Sequence, residues 1–262
     1  MFRGGNVLGS REVRMSRRFL TVLTAKCLVV VFWFAASAPA QQPAQSPAGQ
    51  AQVRQRPPLF FREDWKPMAS PKGTGEHTIN QQDLNNPNLE LKLYGDKNGP
   101  QEVFQANDDV TIVWTGLCSA NCAVALRDKN NYVDLTGMGK IRWRTMQAGF
   151  HLLRPIVKLA DGTWLVGDHT DGYSSDWLES EISLTDVRWR RLDIEKIVEA
   201  RDGRWVDSPD LSKVDEIGFT DLMAGSGHGP GGSSRVDWIE VYGKPVKRDV
   251  GSQNQQTSQT PN

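Results

Sequence analysis

Between Val133 and Tyr242 the chain alternates apolar and polar residues in short runs, with Gly, Asp or Pro in most of the gaps. Residues 140–146, 151–159, 163–167, 177–184, 187–194, 216–219 and 236–242 each follow the period-two rule of a half-buried strand. Only residues 194–200 suggest a helical turn. Asp161-Gly162 between two apolar runs predicts a hairpin, and the Gly-rich 224–232 segment predicts a mobile loop. In the first half, the aromatic cluster of residues 57–65 follows a proline pair and reads as an edge strand. Residues 77–79 and 89–94 read as further strands, and 96–99 as a turn. Residues 110–114 and 123–127 flank a cysteine-bearing turn and read as a hairpin. The pattern predicts an all-β antiparallel β-sandwich over residues 57–246, with no internal repeat.

Both ends fall outside that pattern. Arg17 and Arg18 precede an apolar core at 27–34, and Ala38-Pro39-Ala40 has the small-x-small form of a cleavage site, so residues 1–40 read as a signal peptide. Met15 is an alternative start to Met1. Ser16-Arg17-Arg18-Phe19-Leu20 resembles a twin-arginine export signal without its usual spacer. The uninterrupted apolar run is far shorter than the roughly 20 residues that span a bilayer, so no membrane span is expected after cleavage. Residues 41–56 are Gln/Pro/Ala-rich and 247–262 Gln/Ser/Thr-rich, too poor in apolar surface to offset the entropy of ordering, and read as a linker and a disordered tail. A secreted or periplasmic location follows.

Charge and cysteine narrow the picture further. The whole chain carries 31 basic and 31 acidic residues. Removing residues 1–40 leaves 25 basic against 30 acidic, so the basic footprint of a nucleic-acid binder is absent. Two cysteines remain in the mature chain, Cys118 and Cys122, and an even pair in an exported protein predicts a disulfide.

The order Val133-Asp134-Leu135, Lys140-Ile141-Arg142-Trp143-Arg144, residues 188–194 beginning Arg188-Trp189-Arg190, residues 214–219 ending Ile217-Gly218-Phe219, and Val236-Asp237-Trp238-Ile239-Glu240-Val241 resembles the galactose-binding-like jelly roll. Carbohydrate-binding modules and complex I intermediate-associated domains belong to that superfamily. The resemblance covers about residues 130–243 and lies in packing motifs. It implies a jelly-roll fold and, through its two named branches, either carbohydrate binding or an assembly role with a protein partner.

Strand alternation supplies the candidate chemistry. Arg142 and Arg144 lie opposite Ile141 and Trp143, Arg154 and Lys158 opposite Leu153 and Val157, Glu179 and Glu181 opposite Leu178 and Ile182, and Arg191 and Asp193 opposite Leu192 and Ile194. With Trp177 and Trp189 beside them, these residues are expected to share one sheet face. Such a face is either a solvated surface tied by cross-strand ion pairs or a saccharide groove in which indoles stack on rings and charged groups bind hydroxyls. An arginine-rich groove favours uronic or sulfated sugars. Residues 167–177 form a loop with His169, Asp171 and Tyr173, a second candidate site. Such loops can hold a structural calcium, but the ligand ladder of a calcium loop is absent, and no metal or cofactor is assigned.

For an enzyme, Glu179 and Glu181 are the candidate carboxylates of a glycoside hydrolase or polysaccharide lyase, about 6.6 Å apart at Cα. Their Glu-Ser-Glu spacing departs from the Glu-x-Asp-x-Glu pattern of jelly-roll glycosidases. No nucleophile elbow, zinc-binding His-Glu-x-x-His or phosphate loop occurs. Trp65, Trp114, Trp143, Trp205 and Trp238 sit in or beside apolar strand patterns and read as core. The reading that results is an exported, non-catalytic carbohydrate-binding module with a polysaccharide or oligosaccharide partner.

Overall fold

The computed structural model describes residues 56–66, 77–95, 102–106, 110–114, 118, 120–200, 204–222 and 233–248, with the backbone alone for 102–106 and 233. The expected signal peptide, the 96–99 turn and the 224–232 loop lie outside the described residues. In chain order the strands are β1 (Leu59–Glu63), β2 (His77–Thr78), β3 (Leu89–Gly95), β4 (Glu102–Ala106), β5 (Val110–Trp114), β6 (Cys122–Asp128), β7 (Asn131–Asp134), β8 (Lys140–Ala148) and β9 (Leu153–Leu159). They continue as β10 (Trp164–Gly167), β11 (Leu178–Ser183), β12 (Trp189–Asp193), β13 (Val198–Glu199), β14 (Trp205–Val206), β15 (Val214–Asp221), β16 (Ser233–Tyr242) and β17 (Lys244–Lys247). A single 3-10 turn, Gln81–Asp83, is the only helical element among the described residues.

Two antiparallel sheets result. The seven-stranded sheet runs β11-β8-β16-β5-β4-β2, with β1 also on β16. The ten-stranded sheet runs β13-β12-β10-β9-β15-β6-β3, with β14 on β12 and the β7–β17 pair attached to β15. The chain changes sheet at β7→β8→β9, at β10→β11→β12 and at β15→β16→β17. This repeated crossing makes the sandwich a jelly roll.

The expected hairpin around the cysteines is corrected by this topology. β5 belongs to the first sheet and β6 to the second, so the two strands are not paired with each other. The Cys118–Cys122 disulfide joins the start of β6 to the residue four positions before it. Asp161-Gly162 does form the β9–β10 hairpin, with Gly162 in the positive-φ conformation at 89°. The domain also runs past its expected limit, since Lys247 ends β17 and the Arg248 guanidinium bonds to Asp215 and to the Asp128 carbonyl oxygen.

β8 shows why the pattern was legible. Ile141, Trp143, Thr145 and Gln147 are buried and the residues between them are not. The inward side chains of both sheets meet in a core that includes Trp65, Trp143, Trp189, Ile217, Phe219 and Ile239.

A second apolar layer lies on the far face of the larger sheet, where Ala123, Ala125, Ile156, Trp164, Val166 and Leu192 have the opposite parity to the core residues and pack with Ile197. The segment after β12 covers this face. It is a turn at 194–197 followed by β13, not a helical turn, because Ile197 takes φ 49°. A β-branched residue there costs on the order of 1–3 kcal/mol. Full burial of its side chain contributes about 1.5–3 kcal/mol, and Asn121 Nδ2 donates to the Ile197 carbonyl oxygen at 2.7 Å. Gly95, at φ 80°, permits the close approach: a Cβ there would overlap both the Asn121 carbonyl oxygen and Ile197.

Candidate functional site

The expected single charged face is divided between the two sheets. β8 and β11 are neighbours in the smaller sheet, with Glu179 opposite Arg144 and Glu181 opposite Arg142. β9 and β12 lie in the larger one. Period-two reasoning gives the side of a strand to which a residue points, but it does not give the sheet to which the strand belongs.

On the outer face of the smaller sheet the charges neutralise each other. Lys140 Nζ donates to Glu181 at 2.8 Å. Arg142 lies 3.6 Å from Glu179 and 3.7 Å from Glu181, and donates to Glu240 at 3.2 Å. Glu240 also takes Arg62 at 2.5 Å. Arg144 holds Asp237 at 2.5 Å and covers the half-buried Trp177 indole at 5.0 Å, while Arg62 covers Trp238. Burial pushes the Asp237 carboxyl above the usual range despite Arg144. The Glu179 and Glu181 side chains are 56% and 54% exposed, each beside a cation. Neither carboxylate lies in a buried cleft, and both are tied into the cross-strand ion pairs of an exposed sheet face.

The outer face of the larger sheet is also internally satisfied. Arg154 donates to Glu199 at 2.5 Å and to the Gly167 carbonyl oxygen at 2.8 Å, and Arg190 binds the other Glu199 oxygen. Burial raises the Glu199 carboxyl, but these two guanidiniums outweigh it and hold the group below its usual range. Lys158 Nζ and the Tyr94 hydroxyl each donate to Glu216 at 2.7 Å. Arg191 is exposed on β12, and Asp193 accepts the Glu195 backbone N–H at 3.1 Å, shaping the turn.

In the 167–177 loop, Asp171 turns inward. Its carboxylate accepts Trp143 Nε1 at 2.5 Å and meets His169 Nε2 at 3.1 Å. Burial pushes this carboxyl up, while His169 and Trp143 pull it down with a net lowering. Both oxygens are thus taken by protein donors, so Asp171 anchors the loop to the core. Tyr173 is 71% exposed at the loop tip. Among the described residues no group of three His, Cys, Asp or Glu side chains converges as a cation site.

Away from these surfaces, the links after β7 and β11 and the segment around β14 enclose a pocket of about 410 Å³. Leu135, Leu184, Val187, Trp189 and Leu211 give it apolar walls, and Thr136, Thr185, Asp207 and Ser208 add hydroxyl and carboxylate groups. Trp205 stands opposite Arg190 in the β12–β14 pairing. The Arg188 and Arg190 guanidinium carbons lie 3.8 and 4.1 Å from its ring centroid. Arg190 is committed to Glu199, whereas Arg188 makes no ion pair among the described residues. The backbone of Arg188 is pinned instead: its N–H donates to Asp168 Oδ1 and its carbonyl oxygen accepts the Asp168 N–H, both at 2.9 Å. Trp189, expected as an exposed platform, is 1% exposed in the core, and its buried Nε1 has no hydrogen-bond partner among the described residues. Ser208 on the pocket wall takes φ 47°, a strained conformation for a residue with a Cβ.

Arg188 carries no functional signal of its own in the sequence, and Trp205, which the pattern assigns to the core, is half-buried in the structure. The available signal was the Arg188-Trp189-Arg190 triplet, in which alternation turns both arginines onto the sheet face opposite the buried indole.

No protein-family model matches the chain, and no curated protein matches it. Among solved structures it is similar to the family 11 carbohydrate-binding module of the cellulosomal cellulase Lic26A-Cel5E of Clostridium thermocellum, with 16% identity and a TM-score of 0.41 over 68% of this chain and 99% of that one. It is likewise similar to the family 11 module from Clostridium thermocellum in complex with a β-1,3-1,4-mixed-linked tetrasaccharide, with 16% identity and a TM-score of 0.40 over 68% and 100%. At these TM-scores the jelly-roll assignment rests on the strand order.

Proposed function

We propose that this protein is an exported, non-catalytic carbohydrate-binding β-sandwich whose ligand enters the pocket beside Trp205. The observation that carries the reading is the composition of that pocket: apolar walls for the C–H faces of a sugar ring, with threonine, serine and aspartate groups for its hydroxyls. A volume of about 410 Å³ lies within the range of small-ligand sites. The charged faces first expected to bind are occupied by their own ion pairs, which leaves the pocket as the better candidate. The Cys118–Cys122 disulfide and the signal-like first 40 residues support export. A panel of neutral and acidic oligosaccharides titrated to millimolar concentration against the mature chain tests the proposal. Saturable quenching or enhancement of tryptophan fluorescence, lost in Trp205→Ala, is the expected result, and an unchanged signal with every sugar contradicts it.

A protein-binding role is supported by a different observation. Phe150, Leu152 and Tyr173 are exposed around the β8–β9 turn and the neighbouring loop, with Leu152 packed near Gly172. A partner captured by wild type and lost in the triple alanine variant would favour that reading.

A further inference from the structure

The pocket contains one cation that no carboxylate of the described residues answers. Arg188 is exposed, and its guanidinium carbon lies over the Trp205 ring, 3.8 Å from the centroid. Stacking uses the flat face of a guanidinium and leaves its in-plane N–H donors directed outward. The backbone latch to Asp168 fixes the base of the side chain and the indole fixes its far end, so little rotamer freedom is left to lose on binding. Its strand neighbour Arg190 shows the same stacking but has its anion, Glu199, already in place. A planar fork held in this way matches a carboxylate through two parallel N–H···O bonds. Within the same pocket, Asp207 is an acceptor suited to hydroxyls rather than to a second anion.

We infer that the pocket selects saccharides bearing a carboxylate, of the uronic-acid class, and that Arg188 is the residue determining this specificity. The inference rests on the saccharide reading above and narrows it. The carboxylate binds the Arg188 edge, the ring lies along the apolar walls, and hydroxyls face Asp207 and Thr136. Sulfated sugars fit less well, because a tetrahedral sulfate engages the flat fork of a stacked guanidinium less completely than a planar carboxylate does.

The test uses the full mature chain and oligosaccharides of galacturonate and of glucuronate, each beside its methyl ester, in which the ring is unchanged and the charge removed. At low salt the free acid is expected to bind about tenfold or more tightly than the ester, an advantage that shrinks as salt is raised. Arg188→Gln should erase the difference while keeping the weaker ester binding, and Arg188→Lys should restore only part of it. Circular dichroism of each variant checks that the fold is intact. Equal binding of acid and ester by wild type overturns the inference but leaves the saccharide reading standing. Tighter binding of sulfated than of carboxylated sugars also overturns it. If neither acid nor ester binds while neutral sugars do, the carboxylate claim falls alone, and if nothing binds, both fall.

Discussion

Arg142 illustrates how strand side chains exhaust each other's chemistry. It faces Glu179, Glu181 and Glu240 at once, so the outward residues that look most like a ligand groove in the sequence are a cross-strand ion-pair network. Exposed pairs of this kind contribute about 0–1 kcal/mol each. Glu179→Gln and Glu181→Gln are therefore expected to shift the unfolding free energy by no more than about 1 kcal/mol, as read by urea denaturation, and to leave sugar binding intact. Loss of an activity on polysaccharide in either variant would contradict this. Trp205 has the opposite profile: it is missed in the sequence because its strand is two residues long and flanked by Gly, Asp and Pro, yet it is one of two indoles lining the pocket. Alternation over a run of nine residues, as in β8, is informative, whereas two residues give no period.

At the scale of elements, strand existence was legible and strand partnership was not. β8, β9, β12, β15 and β16 appear where alternation or continuous apolar runs place them, because burial on one or both faces imposes that spacing. The cysteine hairpin was misread because two strands joined by a short segment pair with each other when they share a sheet, and sheet membership is a non-local property. The disulfide closes a short loop at the start of β6, for which chain-entropy arguments give about 2 kcal/mol. Cys118→Ser with Cys122→Ser is expected to lower stability by about that amount without altering the far-ultraviolet circular dichroism. Gly95 is a second element-level test. Gly95→Ala combines a positive φ with overlap against Asn121 and Ile197, and is expected to destabilise by at least about 2 kcal/mol, releasing the cover from the larger sheet.

For the whole molecule, charge is organised as buried or half-buried clusters that depend on pH. Burial pushes the Asp215 carboxyl up, but Arg127 and Arg248 outweigh it, so its folded value lies below the usual aspartate range. A depressed folded value means that its stabilisation is fully present above the unfolded aspartate value near 3.9 and is lost as pH falls through the lower folded one. Glu90, Glu199 and Asp171 are shifted in the same direction. Stability is therefore expected to fall on acidification below about pH 4, and Asp215→Asn should flatten that limb while lowering neutral-pH stability by roughly 1–3 kcal/mol. An unchanged acid limb in Asp215→Asn would show that the cluster with Arg127 and Arg248 does not act as described.

On the function proposed above, the β12–β14 pocket, and not the ion-paired sheet faces, binds sugar. The most direct measurement is calorimetric titration of an oligosaccharide found in the panel into wild type, Trp205→Ala and the double variant Arg142→Gln with Arg144→Gln. Binding should be retained in the double variant and lost in Trp205→Ala. Binding lost in the double variant and kept in Trp205→Ala would contradict it.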